Sequence, residues 1–207
     1  MKQKQIFTEY WKVLNDFEDF MNDRFRREGR DIPHFKMNLK TIVPLDPAQC
    51  TACFLHEHNS LRSPVLGEGQ KKLLIINRAL PKILTEKGIH FTPEEGSSIS
   101  KWLEAIGLDL QLDCKIIPLV FCPVKDPIHP DREAVDSCSS YIDRSLEETN
   151  PKAVLILGME AEELISSNLK NFPLFISPHP SDVLIDPSLK RPVWEILKKL
   201  KGVVVDG

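Results

Sequence analysis

Four of the five cysteines fall into two spaced pairs, Cys50-x2-Cys53 within "DPAQCTACFLHEH" and Cys122-x15-Cys138. A thiolate is a nucleophile, a redox group and a soft metal ligand. A two-residue spacer lets neighbouring thiolates reach one centre. Thiolates from two separated segments can enclose a tetrahedral zinc or an iron–sulfur cluster. Redox dithiols use the same spacer but sit at a strand-to-helix turn, whereas Cys50 and Cys53 lie in a proline-bearing loop. Spacing alone does not separate zinc from iron. Cys114, at the start of an apolar run, reads as a plain core thiol.

Composition narrows the setting. The formal net charge is −3, which argues against a chain that coats nucleic acid by bulk charge, though a local basic face remains open. "MKQKQIFTEYWKV" has no apolar run of signal-peptide length, and no stretch is long and apolar enough to cross a membrane. The expected compartment is the cytoplasm, where metal sites and unpaired thiols outnumber disulfides. An odd cysteine count also fits a disulfide framework poorly.

The elements that must position these groups follow from periodicity. Residues 5–28 have Trp11, Leu14, Phe17, Met21 and Phe25 at helical spacing, an amphipathic helix that packs on the domain or a protein partner. Residues 31–70 are loop-like. Apolar runs at 71–77, 114–122, 152–158 and 173–177 predict strands, the second carrying Pro118. Helices are predicted at 97–108 (serine-capped, closed by Gly107), 131–150, 159–168 and 186–202. Alternating strands and helices predict a three-layer α/β/α fold around a four-stranded parallel sheet, with 1–45 as N-terminal helix and linker and 46–207 as the sheet domain. Ligands of such sheets bind beyond the strands' carboxyl ends, so the loops at 77–96, 118–130 and 177–187 should converge on one crevice.

The order of motifs resembles the family 4, iron–sulfur uracil-DNA glycosylases from about Cys50 to Gly202. The resemblance rests on the two cysteine pairs, "VLGEG" at 65–69, "GIHFTPEEG" at 88–96, "PKAVLILGMEA" at 151–161, "HPS" at 179–181 and "KRPVWEILKKLK". It implies that Cys50, Cys53, Cys122 and Cys138 hold a [4Fe–4S] cluster that shapes nearby loops and takes no part in bond cleavage. It also implies a DNA partner, uracil-containing or damaged and double- or single-stranded.

Excising a base requires everting the nucleotide into a pocket and breaking the glycosidic bond through a cationic sugar. By resemblance Phe91 stacks on the base, and His179 and Ser181 bind it. His179 would donate to the departing uracil. Two positions depart from the family pattern. The motif "GEAPG" falls on Asn77-Arg78-Ala79-Leu80-Pro81, so Arg78 replaces the catalytic glutamate. A guanidinium beside a developing oxocarbenium ion has the wrong sign. The base-reading asparagine falls on Pro118, which has neither a side-chain donor nor a backbone N–H. Asp126 and His129, in "VKDPIHP", are polar loop residues with no matching role. Lys190, Arg191, Lys198, Lys199 and Lys201 offer a basic cluster for phosphates. The expected function is a uracil-DNA glycosylase-like protein of base-excision repair, a hydrolase if active. The alternative is a catalytically weak or inactive nucleic-acid- or partner-binding iron–sulfur protein on the same fold.

Overall fold

The computed structural model describes residues 47–58, 61–158, 169 and 171–207. The helices expected at 5–28 and 159–168, and the linker up to residue 45, lie outside the described residues.

Four short apolar strands form the sheet: β1 (Leu73–Asn77), β2 (Cys114–Pro118), β3 (Ala153–Leu157) and β4 (Leu174–Ser177). All pairs are parallel, in the order β2-β1-β3-β4. β1 and β3 are buried along their whole length, as central strands covered on both faces must be. Six α-helices flank or cap the sheet among the described residues: α1 (Leu55–His58), α2 (Lys82–Glu86), α3 (Pro93–Glu104), α4 (Arg132–Thr149), α5 (Pro180–Ile185) and α6 (Lys190–Val204).

Strand periodicity sorts the core into two layers. Leu74, Ile76, Ile117, Val154 and Ile156 meet Val135, Ile142 and Leu146 of α4. Leu73, Ile75, Ile116, Leu155 and Leu157 meet Ile99 and Leu103 of α3 and Val193, Leu197 and Leu200 of α6. This is the expected three-layer α/β/α arrangement.

Several boundaries differ from the sequence expectation for identifiable reasons. α3 begins at Pro93, not at the serines. Thr92 Oγ1 accepts from Glu95 N at 3.3 Å and Glu95 Oε2 accepts from Thr92 N at 2.8 Å, so a capping box with proline behind it starts the helix. β2 stops pairing at Pro118, which is tolerated because β2 is an edge strand of the sheet. α6 starts at Lys190, after a 3-10 turn over Pro187–Leu189 capped by Asp186. The helices α1, α2 and α5 were not expected. Each is six residues or fewer, too short for periodicity to register.

Gly67 and Gly69 allow the "GEG" turn to run against β2. Both have positive φ, and a Cβ on Gly67 would stand 2.2 Å from the Cys114 carbonyl oxygen.

Candidate functional site

The carboxyl ends of β1 and β4 bring Asn77, Arg78 and His179 together, and the loop after β2 closes over them. Residues from all three expected loops, among them Arg78, His90, Thr92, Lys125, Asp126, His179 and Ser181, line one cavity of about 470 Å³.

Asn77 is the hub beneath that cavity and is fully buried. Its Nδ2 donates to the His90 carbonyl at 3.0 Å, and its Oδ1 accepts from Arg78 N at 3.0 Å. The same oxygen lies 3.0 Å from His179 Nε2, which must therefore carry the proton. His179 Nδ1 is then an acceptor. It takes the Ser181 N–H at 3.1 Å and the Ser181 hydroxyl at 2.7 Å, which caps α5. Burial, and next the Arg78 charge, push the His179 pKa down to about 3, so the imidazole is neutral and both its nitrogens have protein partners.

Arg78 is 7% exposed. Its Nη2 lies 2.9 Å from Asp182 Oδ2, and its Nη1 donates to Ser181 Oγ at 3.3 Å. A carboxylate on α5 thus neutralises the guanidinium that stands where the family pattern has glutamate. The sequence places Asp182 in the loop after His179 but does not mark it as the partner of Arg78. The signal was available in principle, since a buried arginine needs an acid from a converging loop.

Phe91 is 9% exposed and does not line the cavity, although His90 and Thr92 on either side of it do. Its ring centroid lies 6.2 Å from that of His179, at an interplanar angle of 31°. Pro118 is paired in register with Asn77, so the position of the missing amide adjoins the hub. Asp126 lines the cavity, but its Oδ1 accepts from the backbone of Ile128 and His129 at 3.0 Å each, a turn-forming role. His129 and the five basic residues at and after Lys190 are exposed. Beside them Leu184 and Ile185 are exposed too, Ile185 by 84%.

The four paired cysteines converge in the other core layer, each at most 9% exposed and none in a disulfide. Their ionisations oppose one another: Cys50 and Cys53 raise the Cys122 pKa, and the other three raise that of Cys138. Burial pushes Cys122 up to about 11 and Cys138 up to about 12, and it raises Cys53. Opposing this, backbone hydrogen bonds from Leu55 and Phe121 favour the thiolates of Cys53 and Cys138, and the Arg62 charge favours those of Cys53 and Cys122. Arg62 Nη2 also donates to the Cys50 carbonyl at 3.0 Å. Among the described residues, no three histidines, cysteines or carboxylates are arranged to hold a single metal ion. Cys114 lies in the opposite layer, fully buried, with its thiol 3.6 Å from the Asp109 carbonyl.

Among the described residues, no helix is long and apolar enough to cross a membrane. Residues 64–201 match the family model described as the uracil DNA glycosylase superfamily, well over half of the chain. Among similar curated proteins is the type-4 uracil-DNA glycosylase of Sulfurisphaera tokodaii, 21% identical over 75% of this chain and 80% of its own. The type-4 enzyme of Saccharolobus solfataricus is 21% identical over 77% of this chain and 84% of its own. That of Pyrobaculum aerophilum is 26% identical over 68% and 82%.

Proposed function

This chain belongs to the uracil DNA glycosylase superfamily, and from that premise we propose that it is an iron–sulfur, DNA-binding protein of base-excision repair type in which ordinary uracil excision is weak or absent. The observation that carries the reading is the Arg78–Asp182 ion pair at 2.9 Å. Glycosidic cleavage builds positive charge on the sugar, and the protein must answer it with negative charge or an aligned dipole. Here that wall presents a guanidinium, and its counter-charge is already engaged. Asn77 cannot substitute by holding an attacking water, because it is buried beneath the cavity and its acceptor oxygen is occupied by Arg78 N and His179 Nε2. Losing one such electrostatic contribution costs roughly a hundredfold or more in rate.

DNA binding is supported by the exposed basic residues from Lys190 to Lys201 beside the apolar Leu184 and Ile185. A second reading, excision of a base other than uracil, is favoured by the cavity of about 470 Å³ beside His179 and Ser181. His179 and Ser181, which line the cavity, would meet the base in either case.

The cysteine quartet fits a [4Fe–4S] cluster. Four buried thiols in one chamber, with amide donors and the Arg62 charge turned toward them, suit an anionic sulfur-ligated centre. Cys50, Cys53, Cys122 and Cys138 would be the ligands. The cluster would supply a cross-link from the loop at Cys50 to α4, outside the chemistry of the cavity.

The deciding experiment is a single-turnover assay on uracil-containing single- and double-stranded DNA, paired with binding titrations at increasing salt. We expect binding that weakens as salt rises and excision at least a hundredfold below that of the type-4 relatives. Excision at their rate would overturn the reading of Arg78. Salt-independent binding would overturn the phosphate contacts.

A further inference from the structure

Tyr141 is a buried hydroxyl that the reading above leaves without a task. It lies on α4 one turn after Cys138 and is 3% exposed. Its ring packs on Phe121, the neighbour of Cys122, with centroids 5.1 Å apart, and the Arg144 guanidinium lies over it at 5.5 Å. The ring is therefore held in place. Its Oη is buried with no hydrogen-bond partner, in the core cluster that also holds Cys50, Cys53, Cys122 and Cys138, and of these the Cys50 thiol acts on it most. An unanswered buried hydroxyl is destabilising, and a neutral thiol answers it weakly. A metal-bound thiolate is a far stronger acceptor.

We infer that Tyr141 Oη donates a hydrogen bond to the Cys50 sulfur when the four cysteines hold their cluster, and that this bond makes the cluster easier to reduce and harder to lose. The inference rests on the iron–sulfur reading above. A donor withdraws electron density from the sulfur and favours the more negative, reduced state, which raises the reduction potential. It also holds the loop-borne ligand against dissociation. Tyr141 is in this sense a positioning residue.

The sequence makes the test clean, because the chain has two tyrosines, Tyr10 and Tyr141. In a Tyr10→Phe background, Tyr141→Phe removes one oxygen atom. Uniform 3-fluorotyrosine instead makes the same hydroxyl more acidic and a stronger donor. Protein prepared without oxygen is titrated by one electron with dithionite through redox mediators, and iron release to a chelator is timed. We expect Tyr141→Phe to move the potential to more negative values and speed iron release on the order of tenfold. Fluorotyrosine should move the potential to more positive values. Shifts of opposite sign do not arise from general loosening of the core. Intact clusters with no shift in either protein would overturn the role of Tyr141 and leave the cluster reading standing. Iron-free wild-type protein would overturn both. If Tyr141→Phe fails to fold, the fluorinated protein, unchanged in shape, still decides.

Discussion

Arg78 Nη2 and Asp182 Oδ2 meet at 2.9 Å across 104 residues of sequence, tying the end of β1 to the first turn of α5. The arginine is nearly enclosed and the aspartate side chain is about one-third exposed at 34%. Removing the acid leaves a buried charge without its main partner, but solvent reaches the aspartate side and softens the loss. Asp182→Asn should therefore destabilise the protein by about 2 kcal/mol in chemical denaturation.

The same contact governs any attempt to restore excision. Arg78→Glu would set two carboxylates against each other where the ion pair now stands, so one would bind a proton and the site would gain little negative charge. Arg78→Glu alone should leave excision near the wild-type level. Arg78→Glu with Asp182→Asn should raise the single-turnover rate by roughly a hundredfold, the value of one recovered electrostatic contact. A gain from Arg78→Glu alone equal to that of the pair would show that Asp182 does not control the charge of the site.

Pro118 is paired in register with Asn77 at the end of an edge strand. Replacing it with asparagine breaks no sheet hydrogen bond, since proline donates none, and adds an amide beside the hub. Pro118→Asn should fold with stability within about 1 kcal/mol of wild type. In the Arg78→Glu, Asp182→Asn background it should raise discrimination for uracil over thymine, read as the ratio of single-turnover rates.

The sheet was legible because its strands are continuous apolar runs, and α3, α4 and α6 because their apolar stripes last several turns. The cysteine quartet was legible because its two spaced pairs stand out in the sequence. The inner wiring of the crevice was not. No periodicity shows that Asn77 is bonded to His179, that Asp182 answers Arg78, or that Tyr141 packs on Phe121, because each is a contact between side chains on different elements. Helix α5 was hidden for a related reason. Its cap is a histidine, outside the serine, threonine, aspartate and asparagine signature.

His179 makes stability depend on pH. Its folded-state pKa is lowered from the ordinary 6.5 to about 3, mainly by burial. Between those values the unfolded chain binds a proton that the folded chain does not, so stability is full above about pH 6.5 and falls as the pH drops. His90, also lowered by burial, acts in the same direction. The His179 contribution amounts to about 2 kcal/mol lost between pH 6.5 and pH 5. Denaturation of His179→Gln across that range should show a flatter dependence by that amount. An unchanged slope would mean that His179 titrates normally in the folded state.

Gly67 and Gly69 separate steric clash from backbone strain. Both have φ near +75°, at +76° and +75°. A Cβ at Gly67 meets the Cys114 carbonyl oxygen at 2.2 Å, whereas at Gly69 its nearest contact is Lys115 Cβ at 3.4 Å. Gly69→Ala should cost about 1–2 kcal/mol, the left-handed penalty alone. Gly67→Ala must also push the turn off β2, breaking the paired Leu66–Ile116 hydrogen bonds of 2.9 and 2.8 Å. It should cost at least ~3 kcal/mol. Equal costs would show that the turn relaxes freely.

Cys114 and Cys138 are both buried thiols pushed up to about 12, yet they lie on opposite faces of the sheet. On the proposed ligation Cys138 would hold iron and Cys114 would not. Protein purified without oxygen should be brown and carry about four irons per chain. Cys114→Ala removes one small core group and should keep the iron and the colour. Cys138→Ala should lose most of both, together with the melting temperature gained from the cross-link between the Cys50 loop and α4. Iron analysis, visible absorbance and thermal denaturation of the two variants measure this directly. Iron lost equally from both would remove the assignment of the four ligands.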